Sequence, residues 1–324
     1  MKRIPPLAAA IVLPLLLAPG WSGEERRKLP GPVPSMMATP VVLDASDPAR
    51  RRVGALIWLG GVVLTSDDRA FGSFSALAVA GDRFLMVSDG GQVVRFRMDA
   101  RWTPRGIRFG DLPAGPGTGW EKRHRDAESL TRDPHTGRVW IGFESVNQIW
   151  RYGADGVRGA SPLAMARWRS NGGAESLARL SDGSFVAISE SPPYGVAARV
   201  GLVWAGDPVE RPTPAVRFTY IPTPGYDPAD VTELPDGRLL VLERRLALPF
   251  RWSNRLMIVP RAMLTPGAIV RGRAIATLAA PLVHDNFEGV AATREGDATI
   301  LWLVSDDNWL PIQRTLLVKF RLDG

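Results

Sequence analysis

The segments AESLTRDPHTGRVWIGFE (Ala127 to Glu144) and AESLARLSDGSFVAISE (Ala174 to Glu190) write the same strand, turn and strand twice. Each carries an acid near its start and another at its end. Looser copies run FSALAVAGDRFLMVSD from Phe74, ADVTELPDGRLLVLE from Ala229 and FEGVAATREGDATILWLVSD from Phe287. Aligned on their second residue, the five units start at Ser75, Glu128, Glu175, Asp230 and Glu288, which are 53, 47, 55 and 58 residues apart. Each unit continues with two further β-like runs, and a period of this size with four strands predicts a propeller blade.

The third unit supplies the pattern. AESLARL is the first strand, Asp182-Gly183 the turn and SFVAISE the second strand, with ARVGLVWA third and AVRFTYIP fourth. Convincing helical periodicity is absent, so the fold class is all-β. The last unit lacks a fourth strand, while VGALIWLGGVVLTS, Val53 to Ser66, has no hairpin of its own. An unpaired edge is a liability, so this orphan run is expected to close the ring. The count is five blades, or six if Arg105 to Lys122 or the segment near Pro222 hides irregular strands.

The first 22 residues have Lys2 and Arg3 followed by an apolar run from about Leu7 to Ala18, the layout of a signal peptide. That run falls short of a membrane span of roughly 20 residues, so the expectation is an exported protein, periplasmic or secreted, without stable membrane insertion. Residues 23–52, rich in proline and charge, read as a flexible tether, and residues 53–324 as the propeller. Without cysteine, neither disulfides nor thiolate zinc sites are available. Of the 40 basic residues only Lys2, Lys28, Lys122 and Lys319 are lysine, and the formal charge is +7. No aromatic-interleaved basic run indicates nucleic acid.

In an antiparallel hairpin the start of the first strand lies beside the end of the second, so the recurring acids should converge on one mouth of the channel. The entry set is Glu128, Glu175, Asp230 and Glu288, with Ser75 in the first blade. The exit set is Asp89, Glu144, Glu190, Glu243 and Asp306. Nine carboxylates in one funnel repel, and either a hard oxygen-seeking cation such as calcium or the arginines Arg125, Arg244 and Arg245 must balance them. Alternatively each acid caps a strand end or faces water. Alternating strand residues share a face, which brings Asp126 and Glu128 together. His124 and His284 precede acids at two blade entries, while His135 sits in a turn. G-x-S-x-G, H-E-x-x-H and Walker patterns are absent.

The pieces GALIWLGGVVLTSDDRAFGSFSAL, VSDGG, DAESL, GFE, YDPADVTELPDGRLLVLERR, HDNFEGVA and SDDNWLPIQRTLLVKFRL resemble the phytase-like domain family, the "esterase-like activity of phytase" proteins. The resemblance implies an exported β-propeller with phosphoesterase or esterase activity on a small molecule. For such a hydrolase calcium is the expected cofactor, with Glu128, Glu175, Asp230 and Glu288 as ligands. Asp126, Glu128 and Glu288 are the catalytic candidates, and Arg125, Arg244 and Arg245 would take a phosphate. Two other readings remain: a calcium-dependent lactonase lacking the phosphate clamp, and a non-catalytic periplasmic propeller that binds a ligand or partner at its acidic mouth.

Overall fold

The computed structural model describes residues 28–192, 198–210, 214–248 and 251–323. The signal-peptide reading of residues 1–22 lies outside them. No helix among the described residues is long and apolar enough to cross a membrane.

Five antiparallel four-stranded blades surround a central axis. Blade 1 comprises, from the axis outward, Phe74–Ala80, Arg83–Ser88, Gln92–Met98 and Pro104–Asp111. Blade 2 comprises Ala127–Arg132, Val139–Phe143, Gln148–Gly153 and Gly156–Ala160. Blade 3 comprises Ser176–Arg179, Phe185–Ile188, Arg199–Trp204 and Val216–Tyr220, and blade 4 comprises Asp227–Glu233, Leu239–Ala247, Arg251–Val259 and Arg273–Leu278. Before its last strand, blade 4 sends out Ile269–Val270, which pairs in parallel with the edge of blade 3. Blade 5 comprises Asn286–Glu295, Ala298–Asp306, Thr315–Leu322 and, from the other end of the chain, Leu56–Thr65. Closure by the orphan run is therefore observed. The stretch after Arg105 holds the outer strand of blade 1, and the described residues form no sixth blade.

Period-two alternation explains the packing. Adjacent residues of a strand face opposite sides, and each blade has a neighbour on both sides. Thus Met86 packs between blades 5 and 1 while Val87 packs between blades 1 and 2. Likewise Leu303 joins the core of blades 4 and 5, and Val304 that of blades 5 and 1. The five apolar clusters correspond to the five blade interfaces. Strands buried on both faces read as continuous apolar runs, which is why LLVL and ILWLV show no alternation. At the blade 3 hairpin, Gly183 adopts φ +87°, a left-handed conformation natural to glycine. The Asp182 carboxylate there accepts from the Ser184 N–H and hydroxyl.

The tether expected over residues 23–52 is corrected in its second half. Met37–Pro40 pairs antiparallel with the outer edge of Leu56–Thr65, and Arg52–Val53 folds back onto Leu56 and Ile57. Leu43 is fully buried between blades 4 and 5, and its carbonyl accepts the Val283 N–H at 2.7 Å. Scattered apolar residues among prolines and charges hid this packing, because no periodic run marks it.

Candidate functional site

The acids at the channel mouth are placed by a repeated backbone irregularity. In blades 1, 2 and 5 the inner strand carries one extra residue, between Phe74 and Ala76, Ala127 and Ser129, and Phe287 and Gly289. The extra residues are Ser75, Glu128 and Glu288. A bulge re-aims the side chain it carries, and all three line the mouth. In blade 3 the Ser191 N–H donates to the Gly172 carbonyl at 2.8 Å, which puts Glu190 opposite Gly173 and Glu175 at the equivalent place.

Blade 4 departs from this pattern. Its bulge lies between Pro228 and Asp230, so its extra residue is Ala229. Asp230, a calcium candidate in the sequence, falls one step further along and leaves the mouth. Its buried carboxylate accepts the N–H groups of Val231 and of Val290 in blade 5, at 2.7 and 2.8 Å. Asp230 is a tie between blades. Glu243, in the expected exit set, is also displaced by one and accepts from the Tyr220 hydroxyl at 2.7 Å and the Thr223 N–H at 3.2 Å. Arg244 takes the exit position held by Asp89, Glu144, Glu190 and Asp306 in the other blades, opposite Asp227 as Asp306 is opposite Asn286.

The mouth is a cavity of about 540 Å³. It is lined by Asp89, Asp126, Glu128, Glu144, Glu175, Glu190, Asp227, Glu288 and Asp306, and Arg244 is the one cation among its described lining residues. That guanidinium donates to Glu190 at 2.7 Å, approaches Glu175 at 3.5 Å and Asn286 Oδ1 at 3.3 Å, and forms a close ion pair with Glu288. Asn286 Nδ2 donates to Glu288 at 2.7 Å and fixes its rotamer. Burial opposes the charge on Arg244, yet Glu190 and Glu175 beside it hold its pKa above the ordinary value.

Beside Arg244 the carboxylates crowd one another. Oxygens of Asp126, Glu128 and Glu144 lie within 4.8 Å of each other, and so do oxygens of Glu144, Glu175 and Glu190. Glu144 belongs to both groups, and the Gly172 N–H donates to it. Burial, with Asp126, Glu144 and Asp89 adding repulsion, drives the Glu128 carboxyl well above the usual range. Burial and then Glu190 do the same to Glu175, and burial also raises Glu144. Asp306 is pushed up to about 7 by burial and by Asp89. The donor set is entirely carboxylate oxygen, without imidazole or thiolate, and this chemistry fits a hard cation such as calcium.

The expected catalytic trio is thus brought together, since Asp126, Glu128 and Glu288 all line the mouth. The expected phosphate clamp is not assembled. Arg125 is buried below and donates to the carbonyls of Pro116 and His124 at 2.6 and 2.9 Å. Arg245 lies against the Tyr226 ring at 5.9 Å. Adjacent strand residues face opposite ways, so Arg244 and Arg245 cannot serve one ligand. His124 packs near Glu121 at 3.8 Å, outside the mouth.

The raised carboxyls make stability depend on pH. A folded carboxyl with a raised pKa keeps its proton where the unfolded chain has lost it, so stability falls as pH rises. For Asp306 the window runs from its ordinary value of 3.8 to about 7. Denaturant unfolding in chelator should therefore give a lower midpoint at pH 8 than at pH 5. Equal midpoints would mean that the mouth does not carry this strain.

Several solved structures are similar to the chain. Kuenenia stuttgartiensis hydrazine synthase matches over 74% of this chain at 13% identity and TM-score 0.37, and the chain spans 58% of that protein's length. A gluconolactonase from Xanthomonas campestris matches over 91% of this chain and 99% of its own, at 12% identity and TM-score 0.46. A luciferin-regenerating enzyme matches over 88% and 96%, at 13% identity and TM-score 0.42. No curated protein matches the sequence. Residues 69–309, which hold blades 1 to 4, the two inner strands of blade 5 and all the acids of the mouth, match the phytase-like family described as "Esterase-like activity of phytase", and the chain belongs to that family.

Proposed function

We propose that the protein is a calcium-dependent hydrolase of esters, with Asp126, Glu128, Glu144, Glu175 and Glu190 as the ion's ligands. The observation that carries this reading is the pair of carboxylate triads sharing Glu144. Five acids packed this closely, three of them with raised pKa, are stabilised by a cation that Arg244 alone does not replace. When bound, calcium supplies positive charge that polarises a substrate oxygen.

The chain's own groups supply the rest. The Glu128 carboxyl, held well above its ordinary range by burial and by the acids around it, gives up its proton when the ion binds. Glu288, oriented by Asn286, holds Arg244 beside Glu175 and Glu190. Carboxylic esters suit the mouth better than phosphate esters, because Arg244 is already engaged by three carboxylates and Arg125 and Arg245 are turned away. The same engagement of Arg244 favours the alternative of a non-catalytic ligand-binding propeller, in which the arginine permanently neutralises the rim.

Thermal unfolding with chelator and with millimolar calcium separates the two. At a concentration 100 times its dissociation constant a ligand adds about 2.7 kcal/mol, so wild type should melt higher with calcium. Glu144→Gln touches both triads and should lose most of that gain, while Glu288→Gln should keep it. Wild type should then hydrolyse p-nitrophenyl acetate faster than p-nitrophenyl phosphate, and only with calcium. Absence of any calcium shift would remove the metal and leave the binding propeller.

A further inference from the structure

Beside the acidic mouth, and sharing Trp252 and Gln313 with it, lies a second cavity of about 200 Å³. It is lined by Trp252, His284, Asp285, Ile312, Gln313 and Arg314. Its polar groups differ in kind from those of the mouth, for most of them are donors. The Trp252 indole Nε1–H and the Gln313 Nε2 amide are both shielded from solvent and both lack an acceptor. Gln313 is 9% exposed, and its amide oxygen is already occupied by Asn308 Nδ2 at 3.2 Å, which fixes the amide so that nitrogen is the free end.

Arg314 adds positive charge. Its Nε donates to Asp285 at 3.1 Å and one terminal nitrogen donates to the His284 carbonyl at 2.9 Å, which leaves further N–H groups of the fork for a ligand. Asp285 is the one acid among the described lining residues, and both its oxygens are engaged: one takes Arg314 and the other accepts the Asn286 N–H at 3.1 Å. The His284 ring is held by a 2.6 Å contact from Nδ1 to the Leu282 carbonyl, so its Nε2 is the remaining free nitrogen.

An orphaned buried donor costs free energy unless an acceptor meets it, and here two such donors and a guanidinium share one small cavity. We propose that this cavity is a subsite for an anionic oxygen group, a carboxylate or a phosphate, carried by the ligand that enters the adjoining mouth. The Trp252 indole, the Gln313 amide and the Arg314 guanidinium donate to its oxygens, and Ile312 packs against the carbon next to it. The subsite places negative charge away from the acids, on the side where the lining is cationic. Its existence does not depend on hydrolysis or on calcium at the triads.

The test is calorimetric titration of the full chain with inorganic phosphate and, separately, with succinate, each in chelator and in millimolar calcium. The variants are Trp252→Phe, which removes the N–H and keeps a smaller aromatic ring, and Gln313→Glu, which exchanges a donor for a charge. Saturable binding of one or both anions that weakens about tenfold or more in each variant, in either condition, supports the subsite. The anion that binds identifies the preferred group. Absence of binding to both anions overturns it. Binding seen only with calcium and unchanged in the variants also overturns it, because the anion then sits at the triads. Trp252→Phe keeps the question answerable if Gln313→Glu fails to fold.

Discussion

Replacing Arg244 by methionine is expected to destabilise the metal-free protein by about 3–5 kcal/mol, the usual result of stripping one partner from a buried ion cluster. Glu175, Glu190 and Glu288 all address this guanidinium, and Glu175 and Glu288 are buried. Without it they repel one another, and Glu175, whose carboxyl burial already raises, takes up a proton where the pH allows. Proton uptake is easy at pH 5 and costly at pH 8, so the loss should be larger at the higher pH. Calcium should restore part of it in the variant, since a cation at the triads offsets the same carboxylates. The measurement is the denaturant midpoint of wild type and Arg244→Met at both pH values, with chelator and with calcium. A variant as stable as wild type at pH 8 in chelator would show that the guanidinium does not hold the acids together.

Deleting the chain through Ser66 is expected to abolish folding. The deletion removes Leu56–Thr65, which pairs along its length with Thr315–Leu322 and buries Leu56, Trp58, Val62 and Leu64. Each such side chain contributes about 1.5–3 kcal/mol, and the lost ladder adds to that, against a typical total of about 5–15 kcal/mol. Deletion of residues 1–27 should leave a cooperative transition. Deletion through Arg52 should fall between the two, because it removes Met37–Pro40 and the buried Leu43 but keeps the fourth strand. Near-ultraviolet circular dichroism and melting curves of the three truncations test the order. A native-like transition in the longest truncation would mean that another segment closes blade 5.

Blade number and closure were legible because both depend on period and on a count of strands. Strands buried on two faces still show as apolar runs, and Asp-Gly turns mark where the hairpins of blades 3 and 4 reverse. The site was legible in four blades and misread in one. Aligning ADVT with AESL by residue likeness assigns Asp230 to the mouth. Counting from the turn gives another answer: Glu175 lies seven residues before Asp182, and Ala229 lies seven before Asp236. By the same count Glu190 and Arg244 each lie eight residues after the turn aspartate. The turn is the better anchor because hairpin register is fixed there, whereas one-residue likeness at a bulge is not. That count would have identified Arg244 as the cation among the exit acids. Side-chain direction was the other gap. Nothing in the sequence shows that Arg125 runs beneath the mouth toward Pro116, or that Trp252 and Gln313 from different blades meet in one small cavity.

The clasp of blade 5 also governs when the molecule can become whole. Leu56 pairs with Leu322, near opposite ends of the described chain. A chain still growing on the ribosome can complete four blades in turn, each from neighbouring residues. Meanwhile Leu56–Thr65 emerges early and waits with its apolar residues unmatched until Thr315–Leu322 is made. Contacts this distant along the chain are slow to form, and until then the waiting strand presents an unpaired apolar edge open to wrong association. Circular permutation that joins the present ends and opens the loop between blades 3 and 4 would make blade 5 local and should speed the final closure.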